Sequence, residues 1–141
     1  MTVISPYANE CIHEHKMEKR VEFITGDFMK DEIPGENDLA LLFNIIHGFG
    51  EEDNQLLFNK VYTHLNPKGQ LVILDQINQI AGKSQFARAT TSFMGLNLFH
   101  QANGNTYSFD QVKNWAGEAG FKSVTMSKLH GPGFGIITCI K

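Results

Sequence analysis

The sequence predicts an α/β domain built on a mostly parallel sheet with an antiparallel edge at its C-terminal end. Leu39-Ala40-Leu41-Leu42-Phe43 and Leu71-Val72-Ile73-Leu74 are uninterrupted apolar runs, the pattern of strands covered on both faces. Stretches with apolar residues at helical spacing separate these runs from one another and from the C-terminal strands, so strands alternate with helices. The last two strand-like stretches, 122–128 and 135–140, are joined by His130-Gly131-Pro132-Gly133 with no helix between them, as suits antiparallel neighbours.

Composition bounds the functional classes. A chain of 141 residues is expected to form one domain, 1–141, with a core of its own. A hydrophobic fraction of 42% against 19% charged marks a globular rather than a disordered chain. The net charge of −3 comes from interspersed acids and bases. No basic face stands out, and nucleic acid is not an expected partner. No apolar run approaches the roughly 20 residues that span a bilayer, so no membrane association is expected. The first residues lack the charged-then-apolar pattern of a signal peptide. Cys11 and Cys139 stand in no metal or redox spacing and read as free thiols of a reducing cytoplasm.

Taken in order, Thr2-Val3-Ile4 is a short β-branched piece. Ser5 can cap a helix whose first turn holds Pro6 and which runs to about Met17. Arg20-Val21-Glu22-Phe23-Ile24-Thr25 alternates like a strand, with Gly26-Asp27-Phe28 as its exit turn. Pro34-Gly35 marks a turn before the apolar run at 39–43. That run gives way to Asn44-Ile45-Ile46-His47 and Gly48-Phe49-Gly50. Glu51, Glu52 and Asp53 favour a helix N-terminus, and Leu57, Val61 and Leu65, with Phe58 and Tyr62, form its apolar stripe. Asn66-Pro67-Lys68-Gly69 breaks that helix, and the second apolar strand ends at Asp75. A further helix is expected over 83–100 and a Gly/Asn loop over 101–107. Ser108-Phe109-Asp110-Gln111 is a capping box opening a helix that stops at Gly120.

Candidate chemistry gathers at the strand ends, where open α/β sheets bind ligands. His47 is placed there on a loop held by a rigid strand, and an imidazole exchanges its proton near neutral pH. Asp27 and Asp75 end two other expected strands, which would set three polar groups on one rim; an Asp there can orient His47 or accept from a ligand, or can simply cap a turn. His13 and His15 are two residues apart and would not share a helical face, and no further ligands are spaced to complete a metal site with them. Gly131, Gly133 and Gly135 precede a strand rather than a helix and are no dinucleotide loop.

Four segments, in order, resemble one family. Arg20 to Phe28, Asn44-Ile45-Ile46-His47-Gly48-Phe49, Leu65 to Asp75, and Thr106-Tyr107-Ser108 through Ala119-Gly120-Phe121 are similar to segments of S-adenosylmethionine-dependent O-methyltransferases of the caffeate, hydroxyindole and bacterial small-molecule type. The resemblance implies a Rossmann-like methyltransferase fold, the cofactor S-adenosylmethionine, and methyl transfer to the hydroxyl of a small, aromatic acceptor. His47 would be the base and Asp75 would hold its ring. Asp27 would bond the adenine, with Phe28 and Phe49 packed on it, and Phe93, Met94, Asn97 and Leu98 would line the acceptor pocket. The chain also departs from the family. The first strand and its glycine-rich cofactor loop have no counterpart from Met1 onward, His-Gly-Phe replaces the usual His-Asp-Trp, and the acid expected for the ribose reads Ser5-Pro6. The resemblance is therefore to the C-terminal two-thirds of the catalytic domain. It leaves open a non-catalytic remnant, and it implies a homo-oligomer or pairing with a chain that supplies the missing segment.

Overall fold

The computed structural model describes residues 4–78, 85–102, 104–129 and 133–141. The expected start at Thr2-Val3, the first residues of the 83–100 helix, Asn103, and His130-Gly131-Pro132 lie outside the described residues, as do the side chains of Phe86 and Met94. The chain divides into two compact units, Met1–Glu32 and Ile33–Lys141.

In the first unit, α1 spans Ser5–Glu14. Ser5 is its first helical residue and not its cap. Ile4 holds the capping position, with no side-chain bond, and Pro6 sits where its missing N–H has no partner to lose. The helix ends before the expected Met17. The alternating stretch from Arg20 to Thr25 forms no strand. A strand needs a neighbour to take up its backbone groups, and none of the four strands in the described sheet comes from this unit. Val21, Phe23 and Ile24 are accordingly exposed to varying degrees. Asp27 closes a local turn. Its carboxylate accepts from the Met29 amide at 3.1 Å and pairs with Lys30 at 3.0 Å. The Lys30 ammonium, followed by that amide, holds the carboxyl below the usual range.

The second unit carries the sheet. Strand β1 (Asn37–Phe43) leads through a 3-10 turn (Ile46–Gly48) to α2 (Glu51–His64), followed by β2 (Leu65–Gln76), α3 (Gln85–Ala102), α4 (Phe109–Ala119), β3 (Ser123–Lys128) and β4 (Phe134–Ile140). The order across the sheet is β1-β2-β4-β3. β1 and β2 run parallel, in register from Leu39 opposite Gln70 to Phe43 opposite Leu74. β4 pairs antiparallel with both β2 and β3, which gives the mixed α/β sheet with the antiparallel edge. Asn66 to Gly69 bulge out of the β1–β2 ladder.

The core lies on one face of this sheet, beneath α2 and α4. Leu71, Ile73, Asp75 and Ile77 point to it from alternate positions of β2 and its continuation, with Ile137 and Cys139 beside them on β4. Leu57, Phe58 and Val61 descend from α2, and Val112, Trp115 and Ala116 from α4. The Trp115 ring meets Phe58 and Tyr107 edge-on, at centroid distances of 5.9 and 4.7 Å. The capping box holds α4: the Gln111 amide donates to the Ser108 hydroxyl at 3.2 Å, and the Ser108 amide donates to the Gln111 side chain at 3.0 Å. Gly120 closes that helix in the left-handed region at φ 106°, where glycine costs least.

One expectation about β1 fails. Its apolar run is not covered on both faces. Leu39, Leu41 and Phe43 are 52%, 54% and 47% exposed, because β1 is the edge of the described sheet and only one of its faces meets the core. Among the described residues no helix is long and apolar enough to cross a membrane.

Candidate active site

The site is built where β1 and β2, being parallel, end on the same rim. The chain leaves β1 at Asn44, whose φ of 55° is one of the few left-handed positions a non-glycine residue takes readily. It then makes the single 3-10 turn that carries His47. Period-two alternation on β2 puts Asp75 on the same face as Leu71 and Ile73, fully buried, at the level of that turn. The two side chains meet. His47 Nδ1 lies 2.6 Å from Asp75 Oδ1, with the imidazole 22% exposed and the carboxylate at 0%. In the tautomer that carries its proton on Nδ1, the ring donates to the Asp75 carboxylate, which accepts. Nε2 then keeps its lone pair, and the partly exposed ring can present it to a ligand. Asp75 Oδ1 also accepts from the Gln76 amide at 2.8 Å, which fixes its rotamer. Asp75 Oδ2 is buried with no partner among the described residues.

The turn is braced from three sides. Asn54, in the first turn of α2, donates through Nδ2 to the carbonyls of Ile46 at 2.9 Å and Phe49 at 3.2 Å. The Tyr107 hydroxyl donates to the same Phe49 carbonyl at 2.6 Å. Burial pushes that hydroxyl above the ordinary tyrosine range, against the opposing pull of its contact with Asn54, and Glu51 and Asp53 push the same way. It therefore stays a donor throughout the neutral range. From the third side the Asn105 amide donates to the His47 carbonyl at 3.0 Å. Gly104 approaches so closely that a Cβ there would collide with the carbonyl oxygen of His47.

None of these braces figured among the candidate site residues. Asn54 carried a usable signal, a polar residue one turn ahead of Leu57 and Phe58 on the apolar stripe of α2. Gly104 carried none, since its role is a contact across the fold.

The remaining candidates are placed less centrally. Phe49 follows the 3-10 turn in extended conformation, partly buried, beside Gly48, whose absent side chain would meet open space. Asp27 and Phe28 belong to the first unit. On α3, Leu98 is partly buried, and its backbone carbonyl accepts from the Gly104 amide at 3.2 Å. Phe93 is 65% exposed, and at 100° per residue it and Asn97 fall on the opposite side of the helix from Gly95. Arg88, Ser92, Gly95, Leu96 and Phe99 of α3, with Asn78, Asn105 and Thr106, line a cavity of about 590 Å³. Among the described residues no cluster of side chains could hold a metal ion.

Comparison with known proteins agrees with this architecture. Residues 2–122 match the family model of the O-methyltransferase domain. The chain is 28% identical over 111 residues to acetylserotonin O-methyltransferase of Gallus gallus, covering 79% of this chain and 31% of that one. It is 26% identical over 131 residues to the tetracenomycin polyketide synthesis 8-O-methyl transferase TcmO of Streptomyces glaucescens, covering 92% of this chain and 37% of that one. It thus spans about a third of the length of these curated relatives. Among solved structures, the mitomycin 7-O-methyltransferase MmcR superposes with a TM-score of 0.82 at 20% identity, covering 95% of this chain and 38% of that one. Human N-acetylserotonin methyltransferase in complex with SAM gives 0.73 at 19%, covering 95% and 44%. These likenesses show the Rossmann-like fold of S-adenosylmethionine-dependent methyltransferases, here as part of a domain, and with 121 of 141 residues inside the matched model the chain belongs to the O-methyltransferase domain family.

Proposed function

We propose that this chain carries the proton-accepting part of an O-methyltransferase site for a small hydroxylated aromatic molecule, with His47 as general base. The observation that carries the reading is the 2.6 Å bond between His47 Nδ1 and the buried Asp75. It fixes one ring nitrogen as donor and so reserves the other for a substrate hydroxyl. The rim also suits an adenosyl group as far as it goes. Phe49 offers an aromatic ring at the strand end, and Gly48 leaves the space beside it open.

S-adenosylmethionine, when bound, supplies an electrophilic methyl group on a sulfonium. The chain's own part is proton management and alignment. His47 Nε2 would take the proton of the acceptor hydroxyl as that oxygen is methylated, and the ring would end as an imidazolium. Asp75 stabilises the imidazolium that forms and keeps the ring in its tautomer. The braces at Asn54, Tyr107 and Asn105 hold the turn, so the base is in place before substrate arrives, which is where most of the advantage of an in-line displacement lies. On α3, Leu98 is proposed as an apolar wall of the acceptor site. Replacing His47 by Ala is expected to lower turnover by about a hundred- to ten-thousand-fold while leaving cofactor affinity unchanged. Turnover that survives would remove His47 from the role.

The exposed edge of β1 favours a second reading, in which the active unit requires another chain or a second copy. A strand edge with apolar side chains pairs with what it meets. On this reading the 141-residue chain alone binds S-adenosylmethionine no better than about millimolar, an affinity worth ~4 kcal/mol, and sediments as a dimer or larger at micromolar concentration. Tight calorimetric binding by a clean monomer would rule it out.

A further inference from the structure

The cavity beside α3 is lined from Asn78 to Thr106, within the longest stretch of the chain that has no acid. From Gln76 to Phe109 there is no Asp or Glu, although the chain holds 15 of them and has a net charge of −3. The same stretch carries Lys83, Arg88 and His100. Arg88 lines the cavity, whose volume of about 590 Å³ is in the size range of small-ligand sites. Among the described residues no carboxylate lines the space and none pairs with Arg88.

The helical wall is ordered along one face. Arg88, Ser92 and Leu96 are four residues apart, and Gly95 and Phe99 fall on the same side of α3. The donors come first along the helix and the apolar groups second. The 105–106 segment comes close to this face because position 95 is glycine: a Cβ there would stand 3.1 Å from both Asn105 Oδ1 and Thr106 Oγ1. Asn105 Oδ1 accepts from the Thr106 amide at 2.8 Å, which leaves the Asn105 NH₂ group for a ligand. A guanidinium, a hydroxyl and an amide NH₂, with no acid to balance them, suit an oxyanion that accepts from all three. Leu96 and Phe99 suit an apolar body attached to it. Neither His47 nor Asp75 lines this space, so the argument does not rest on their chemistry.

We infer that this cavity is a separate binding site for a small amphipathic oxyanion, a phosphate or carboxylate head on an aliphatic body. Arg88, Ser92 and Asn105 hold the head, and Leu96 and Phe99 hold the body.

The test is calorimetric titration of the full 141-residue chain with hexyl phosphate, hexanoate, 1-hexanol and inorganic phosphate. The tighter of the two amphipathic anions names the head group, and it is expected to bind at least about tenfold more tightly than hexanol, the lower end of what a charged hydrogen bond contributes. Arg88→Gln should erase that preference and leave the affinity for hexanol as it was. Arg88→Lys, which keeps the charge and loses the fork, should restore part of it. Leu96→Ser should weaken the amphipathic anion and leave inorganic phosphate unchanged. Both positions are exposed, so the variants are expected to fold, and an unchanged circular dichroism spectrum checks this. Anions that bind no better than hexanol, or a preference that survives Arg88→Gln, would overturn the oxyanion site. Inorganic phosphate binding as tightly as the amphipathic anion would overturn the part given to Leu96 and Phe99.

Discussion

β1 and β2 look alike as sequence and differ as structure. Both are uninterrupted apolar runs, both lie in the same parallel pair, and each leads into one member of the His47–Asp75 pair. β2 has a strand on each side and the α2–α4 layer over one face, and Leu71, Ile73 and Ile77 are all at 0% exposure. β1 has β2 on one side only, and Leu41 at its centre is 54% exposed. The difference teaches that an apolar run does not say which of its faces is covered: Leu41 lies opposite Val72, on the face away from Leu71 and Ile73 and from the α2–α4 layer. It also explains how the site is held. The buried strand supplies the fixed carboxylate, whereas the edge strand supplies a turn that needs braces from α2, Tyr107 and the Gly104-Asn105 segment.

The largest expected effect tests the contrast directly. Ile73→Ala should destabilise the fold by about 2–5 kcal/mol, the range for emptying a closed core site. Leu41→Ala should cost under about 1 kcal/mol, since much of its surface is already in water. Denaturant unfolding of the two variants measures both. Equal losses would mean that Leu41 is covered in solution, which the second reading of function requires.

Next in size is Gly104→Ala. The added methyl would collide with the carbonyl of His47, and relieving an overpacked contact costs about 1–3 kcal/mol. It should also displace the base, so a larger fall in kcat than in stability is expected for this variant. Unchanged kcat together with unchanged stability would show that the turn tolerates movement and that the bracing is not what positions His47.

The smallest effect concerns thiols. Cys139 lies opposite Leu71 in the β2–β4 ladder, and burial pushes its thiol up to about 12 from an ordinary 9.0. The folded chain therefore keeps a proton that the unfolded chain releases, so stability falls as pH rises from about 9.0 toward about 12. At neutral pH only Cys11, which is exposed, should react quickly with a thiol reagent. Leu41→Cys should add a second fast thiol. If that new thiol is as slow as Cys139, the edge is covered.

Local chemistry made part of this legible in advance. The capping box at Ser108 and Gln111 needs only residues three apart. The buried stripe of α2 needs only helical spacing. The C-terminal strand pair follows from two β-prone stretches with a turn between them. The strand ends marked His47 and Asp75 as candidates, and the contact between them follows once β1 and β2 run parallel in register. The chemical roles assigned to them rest on the proposed experiments.

What only the tertiary structure decided depends on partners distant in the chain. The alternating stretch from Arg20 to Thr25 has strand periodicity, yet it forms none, because periodicity supplies side chains for a sheet and not the neighbour that bonds its backbone. β1 is half exposed because Leu39, Leu41 and Phe43 lie on the face away from the layer that covers Leu71 and Ile73. Gly104 against His47, the Tyr107 hydroxyl on the Phe49 carbonyl, and Arg88 sharing a cavity with Asn105 join residues whose separation in sequence bears no relation to their distance in the fold. Spacing along a chain fixes which side chains share a face of a helix or strand, but contacts between elements exist only after the sheet has set the rim on which they meet.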